Sequence, residues 1–154
     1  MAACSADSAR HAASVKLRAV TSPDGPILLF DGVCNLCHGI VQWVIAHDTG
    51  AHFRFASLQS EAGRALLAAH GLPPDAMDTV VLVVGNAHWQ KSSAALEVLR
   101  RLGGAWALAA PLRFLPRALR DVAYDWIARN RYGWFGKQAE CWLPTPELRA
   151  RFLA

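Results

Sequence analysis

Ile27-Leu28-Leu29-Phe30-Asp31-Gly32-Val33-Cys34-Asn35-Leu36-Cys37 is the stretch on which the fold turns. Its four leading apolar residues follow the turn-forming Pro23-Asp24-Gly25-Pro26 and predict a short buried strand. Asp31-Gly32-Val33 then reads as a strand-to-helix loop. A helix over about Cys34 to His47 follows from Ile40, Val41, Val44 and Ile45, which recur at helical spacing. Cys34 thereby falls near a helix N-terminus.

Working outward, His52 to Ala56 predicts a half-buried strand with Phe53 and Phe55 on one face and Arg54 on the other. Ser60 to His70 reads as a helix with Ala62, Ala65, Leu66 and Ala69 inward, stopped by Gly71 and Pro73-Pro74. Thr79 to Val84 is almost wholly aliphatic, as in a central strand buried on both faces. Gly85-Asn86 is a tight-turn pair, so Ala87 to Gln90 should return antiparallel. Ser92 or Ser93 should cap the next helix, which runs to Leu102 with Ala95, Leu96, Val98, Leu99 and Leu102 inward.

Ala105 to Pro116 reads as a short connecting segment broken by Pro111. A last helix over Arg117 to Arg131 is marked by Leu119, Val122, Ala123, Trp126 and Ile127, which predict its inward face. Tyr132 to Ala154 should be an irregular extension packed by Trp134, Phe135 and Trp142. The fold class expected is α/β and thioredoxin-like: a central mixed four-stranded sheet flanked by helices, with a C-terminal helical extension. The 154 residues suit one domain over 23–154, preceded by a disordered tail over 1–22.

Composition narrows the function. A formal charge of +4 without a dense basic block disfavours a nucleic-acid binder. No apolar run approaches the roughly 20 residues needed to span a bilayer, and Met1 to Ser22 lacks the apolar core of a secretory signal. Four unevenly placed cysteines do not make a disulfide-stapled scaffold, so a reducing, cytoplasmic location is expected. Arg129 to Lys137 interleaves basic and aromatic residues, a pattern compatible with nucleic-acid stacking or a membrane-facing patch. The simpler reading is arginines complementing a helix dipole, Gly133 as cap, and Trp134 and Phe135 anchoring the returning chain. Lys91-Ser92 likewise reads as a helix start.

The chemistry sits in Cys34-Asn35-Leu36-Cys37. Two cysteines separated by two residues at a helix start can close and reopen a disulfide while the first sulfur faces solvent. The attacking species is the thiolate, which the unpaired N–H groups of the first helical turn would stabilise. In this reading Cys34 attacks, Cys37 is the more buried resolving thiol, and His38 assists the thiolate when protonated. Asp31 is either the proton acceptor for the resolving thiol or a cap for the loop. The rival reading is a non-catalytic binding module whose cysteines hold a metal with Cys141 and one of His38, His47, His52 or His88. For Cys141 the alternatives are a third redox position and a buried, inert thiol, the simpler reading, and Cys4 has no evident partner. No cofactor or metal is expected, and the partner is a disulfide or thiol substrate of unidentified kind.

Phe30 to Cys37 resembles the signature of the DCC family of thiol-disulfide oxidoreductases. The similarity continues through Phe55 to Ser60, Asp78 to Val81, Lys91-Ser92, Arg129 to Tyr132, Trp134 to Gly136, and Cys141 with Pro144, covering about residues 27–153. It implies a thioredoxin-like fold and a redox role for Cys34 and Cys37. Ordinary thioredoxins place a cis-proline opposite their cysteines, before the third central strand. Here Met77-Asp78-Thr79 stands there, and Pro73 and Pro74 come too early.

Overall fold

The computed structural model describes residues 25–76, 79–138 and 144–153. The expected tail, Met77-Asp78, Cys141 and Trp142 lie outside the described residues. Strands β1 (Ile27–Phe30), β2 (Arg54–Ser57), β3 (Val81–Val84), β4 (Ala87–Gln90) and β5 (Phe152–Leu153) form one mixed sheet in the order β4-β3-β1-β2-β5. β1 runs parallel to β2 and antiparallel to β3, β3 runs antiparallel to β4, and β2 runs parallel to β5. This is a thioredoxin-like α/β arrangement with five strands rather than the four expected.

The fifth strand comes from the segment read as irregular. Phe152 lies against Phe55, with ring centroids 5.3 Å apart, and Arg151 pairs with Asp48 while its Nε donates to the Phe53 carbonyl at 3.1 Å. Two residues suffice for an edge strand because these contacts hold the chain beside β2.

Period-two alternation divides the core into two layers. Leu28, Phe30, Phe53, Phe55 and Leu82 face helices α1 (Asn35–His47) and α3 (Lys91–Leu102), meeting Val41, Val44, Ala94 and Val98. Ile27, Leu29, Ala56, Leu58, Val81 and Val83 face α2 (Glu61–Ala69), meeting Leu66 and Leu67. Two helices sit rotated from the expected phase. Ala65 and Ala69 of α2 point to solvent while Gly63 and Leu67 turn inward, and Ala94 rather than Ala95 is buried in α3. The segment expected to be a simple connection is a 3-10 helix, Gly104–Phe114, packed beside α3.

The largest departure is α4 (Arg117–Phe135). It runs four residues past the expected end because Gly133 lies inside it, and Gly136, at φ +82°, terminates it. It is also turned over. Leu119, Val122, Trp126 and Ile127, expected inward, are exposed, whereas Asp121, Tyr124, Asp125 and Arg131 face the body. Polar contacts impose that phase. Ser92 Oγ donates to Asp121 at 2.5 Å, Lys91 Nζ pairs with Asp125 at 2.9 Å, and the Val80 N–H donates to Tyr124 Oη at 2.9 Å. Helix α3 therefore begins at Lys91 with no side-chain cap, since Ser92 is committed to α4.

Two truncations separate a core residue from the outward stripe. Leu82→Ala should cost about 2–5 kcal/mol in urea unfolding, and Leu119→Ala should stay within about 0.5 kcal/mol. A large loss at Leu119 would contradict the inverted helix.

Candidate active site

β1 ends at Phe30, and Asp31-Gly32-Val33 turns the chain into α1. The turn is tight. Gly32 N–H donates to Gln59 Oε1 at 2.9 Å, and a Cβ on Gly32 would stand 2.6 Å from Ser57 Oγ. Cys34 follows as the N-cap of α1 with extended backbone, and its Sγ accepts the Cys37 N–H at 3.4 Å. A sulfur in that place meets the unpaired donors and positive end of the helix.

Asp31 is buried, and the chain gathers donors around it. Oδ1 accepts the Val33 N–H at 3.1 Å and Gln59 Nε2 at 2.7 Å. Oδ2 accepts Arg131 Nη2 at 2.9 Å and the Tyr132 hydroxyl. Arg131 is itself buried, and its Nη2 also donates to Tyr132 Oη at 3.0 Å. Burial and the hydrogen bond to Asp31 push the Tyr132 phenol up to about 12, against the opposing pull of Arg131.

The same cluster bears on the second cysteine. Burial pushes the Cys37 thiol well up, and the hydrogen bond to Cys34 and the negative charges of Cys34 and Asp31 add to this, while Arg131 opposes it. His38 is buried, with Nε2 2.9 Å from the Gly32 carbonyl. Burial holds its pKa below the ordinary 6.5, despite that hydrogen bond and Asp31, which favour the cation. At neutral pH the ring is therefore mainly neutral and a donor to Gly32, so it brings little positive charge to Cys34.

Both cysteines are free thiols, and both are buried: Cys34 is 0% exposed and Cys37 4%. The expected accessible leading sulfur is not seen. Cys34 belongs to the core cluster with Leu28, Phe30, Cys37 and Val41, and the strap Gly136 to Gln138 after α4 crosses its main chain. Lys137 pairs antiparallel with Cys34, the Gln138 N–H donates to the Val33 carbonyl at 2.8 Å, and Asn35 Nδ2 donates to the Phe135 carbonyl at 2.8 Å. Among the described residues no group of three His, Cys, Asp or Glu side chains converges as a metal site.

A family profile described as DCC1-like thiol-disulfide oxidoreductase matches residues 28–137. The chain belongs to the DCC1-like thiol-disulfide oxidoreductase family. It is 48% identical over 127 residues to the uncharacterized protein YuxK of Bacillus subtilis, an alignment covering 82% of this chain and 93% of that one. It is 44% identical over 117 residues to a DCC family protein of Arabidopsis thaliana named as chloroplastic, covering 75% of this chain and 68% of that one. No solved structure matches.

The DCC-matched span runs from Leu28 in β1 to Lys137 in the strap, so it includes Asp31, Cys34, Cys37, Gln59, Arg131 and Tyr132. Asp31, Cys34, Cys37 and His38 come together at the end of β1, as their closeness in sequence requires. Arg131, Tyr132 and Gln59 were not foreseen as site residues. A helical wheel carried the signal for two of them: Arg131 lies on the same face as Tyr124 and Ala128, with Tyr132 beside it.

Asp31→Asn leaves Arg131 buried without its anion and should cost about 3–5 kcal/mol in urea unfolding. Tyr132→Phe removes one donor and should cost about 1 kcal/mol. Equal small losses would show that Arg131 is not paired as described.

The His38 ring should titrate below 6.5 by NMR. Because its folded pKa is depressed, its contribution to stability is complete above about pH 6.5 and declines as the pH falls below that value. Titration at or above 6.5 would contradict the buried, neutral ring.

Proposed function

We propose that Cys34 and Cys37 form a reversible dithiol-disulfide couple, with Cys34 the nucleophile and Cys37 the resolving thiol. The supporting observation is the Cys34 sulfur in the N-cap place of α1, accepting the Cys37 N–H. Cys34 ionises, giving its proton to solvent, and attacks one sulfur of a substrate disulfide. A Cys34–S bond forms, the substrate S–S bond breaks, and one substrate thiolate leaves and takes a proton.

Before that step burial pushes the Cys37 thiol up, and the hydrogen bond to Cys34 and the charge on Cys34 add to this. In the mixed disulfide the latter two influences vanish while burial remains, and Cys37 becomes easier to deprotonate than before. It gives its proton to Asp31 and attacks Cys34 Sγ, the second substrate thiolate leaves with that proton, and the pair becomes a disulfide. The substrate has gained two electrons and two protons. Arg131 and Tyr132 act as positioning residues for Asp31, and His38 holds the Gly32 carbonyl.

Access to Cys34 requires the strap to lift, breaking the Gln138 to Val33 and Asn35 to Phe135 hydrogen bonds. The cysteine usage favours a reducing compartment, and we assign the cytoplasm, although the plant relative is named as chloroplastic.

The test uses protein carrying Cys4→Ser and Cys141→Ser, so that two thiols remain. Equilibration with glutathione buffers should show a two-electron couple that Cys34→Ser and Cys37→Ser each abolish, and Cys37→Ser should accumulate a mixed disulfide. Alkylation of Cys34 should be slow, and Asn35→Ala should quicken it several-fold by loosening the strap. Absence of a couple together with one bound zinc per chain would replace this reading with that of a metal-linked binding module.

A further inference from the structure

Between Gly104 and Lys137 large apolar side chains face solvent both on the 3-10 helix and along α4. Leu108 is 81% exposed, Phe114 85%, Val122 67% and Trp126 59%, and Leu112, Leu115, Leu119, Ile127, Trp134 and Phe135 are exposed with them. On α4 the stripe from Leu119 to Trp134 is about 22 Å long at 1.5 Å per residue. Trp126 and Trp134 meet edge to face at its end, with centroids 5.0 Å apart. Since α4 docks by its polar side, this face has no partner within the described residues.

Charge identifies what it fits. Gly104 to Lys137 contains six Arg or Lys and two Asp, an excess equal to the whole chain's +4, so the rest of the sequence is balanced. Both acids, Asp121 and Asp125, are turned toward α3, where Ser92 and Lys91 hold them. The solvent side therefore combines Trp, Phe and Leu with Arg113, Arg129 and Lys137, while Arg117 pairs with the half-buried Asp121 at 3.4 Å. A second copy in a twofold contact would set this positive surface against itself, whereas an anionic lipid surface complements it.

We propose that the Gly104 to Lys137 face is a docking surface for anionic bilayers, its apolar stripe entering the acyl boundary and its cations meeting lipid phosphates. Binding is peripheral, since among the described residues no helix is long and apolar enough to cross a membrane. Asn35 bonds the Phe135 carbonyl and Lys137 pairs with Cys34, so docking brings the cysteine loop close to the lipid. The inference does not rest on the redox reading, because the face is built without the thiols, and Cys34→Ser should bind equally well.

The full chain is sedimented with vesicles of phosphatidylcholine alone and with vesicles holding about one third phosphatidylglycerol. Binding at least tenfold tighter to the anionic vesicles is expected, weakening as salt rises. Leu119→Asp with Trp126→Asp should abolish it, and Arg113→Gln with Arg129→Gln should weaken it by roughly fivefold per charge. In the unmodified chain, lipids brominated along the acyl chain should quench tryptophan fluorescence, a readout that depends on no variant folding.

Failure to bind either vesicle overturns the proposal, as does equal binding to both. A dimer in sedimentation equilibrium that Trp126→Asp dissolves would show a self-interface instead. Deletion of residues 1–22 that exposes tryptophans shielded in the full chain would show that the chain covers its own stripe. Both results overturn it.

Discussion

Asp31 is a buried carboxyl group at the end of the central strand, and the remainder of the architecture is arranged around supplying donors to its oxygens. Taking a carboxylate out of water costs several kcal/mol unless donors replace the lost hydration. Here they come from three places in the chain: the Val33 amide in its own loop, Gln59 just beyond β2, and Arg131 with Tyr132 at the end of α4. A loop of a few residues could not supply a guanidinium. The C-terminal helix must therefore fold back across the sheet, and the strand-to-helix junction that carries the cysteines is completed by residues about one hundred positions later.

That requirement explains the orientation of α4. Arg131 can reach Asp31 only if its side of the helix faces the body, and 3.6-residue periodicity then turns Tyr124 and Ala128 the same way. Asp121 and Asp125 follow and find Ser92 and Lys91. The apolar stripe is left outside by the same rotation.

The layout of the sheet was legible in the residues because short aliphatic runs bounded by Pro, Gly and Asn leave little choice of element. Cys34 at the start of α1 was legible for the same reason, since Asp31-Gly32-Val33 is too short to be anything but a turn. The phase of α4 was not, because amphipathic periodicity shows that two faces differ and does not show which one meets the protein. Arg131 looked like a dipole-complementing surface residue, and its partner lies too far away in sequence for local pattern to reveal. β5 escaped for a related reason: a two-residue strand carries no alternation, and its place depends on Arg151 finding Asp48. The crossing of Cys34 by the strap depends on a pairing that is equally remote.

The clamp and the strap are neighbours in the chain but unequal in strength, and this difference sets which part of the site can move. Arg131 and Tyr132 are held by a buried ion pair whose disruption costs about 3–5 kcal/mol. The strap, four to seven residues further on, is held by main-chain and amide hydrogen bonds worth about 1 kcal/mol each. Gly136, at φ +82°, separates the two and relieves the helix of any need to follow the strap. The strap is consequently the weaker of the two, and a change confined to the chain beyond Gly136 leaves the clamp on Asp31, the carboxyl group beside Cys37, in place.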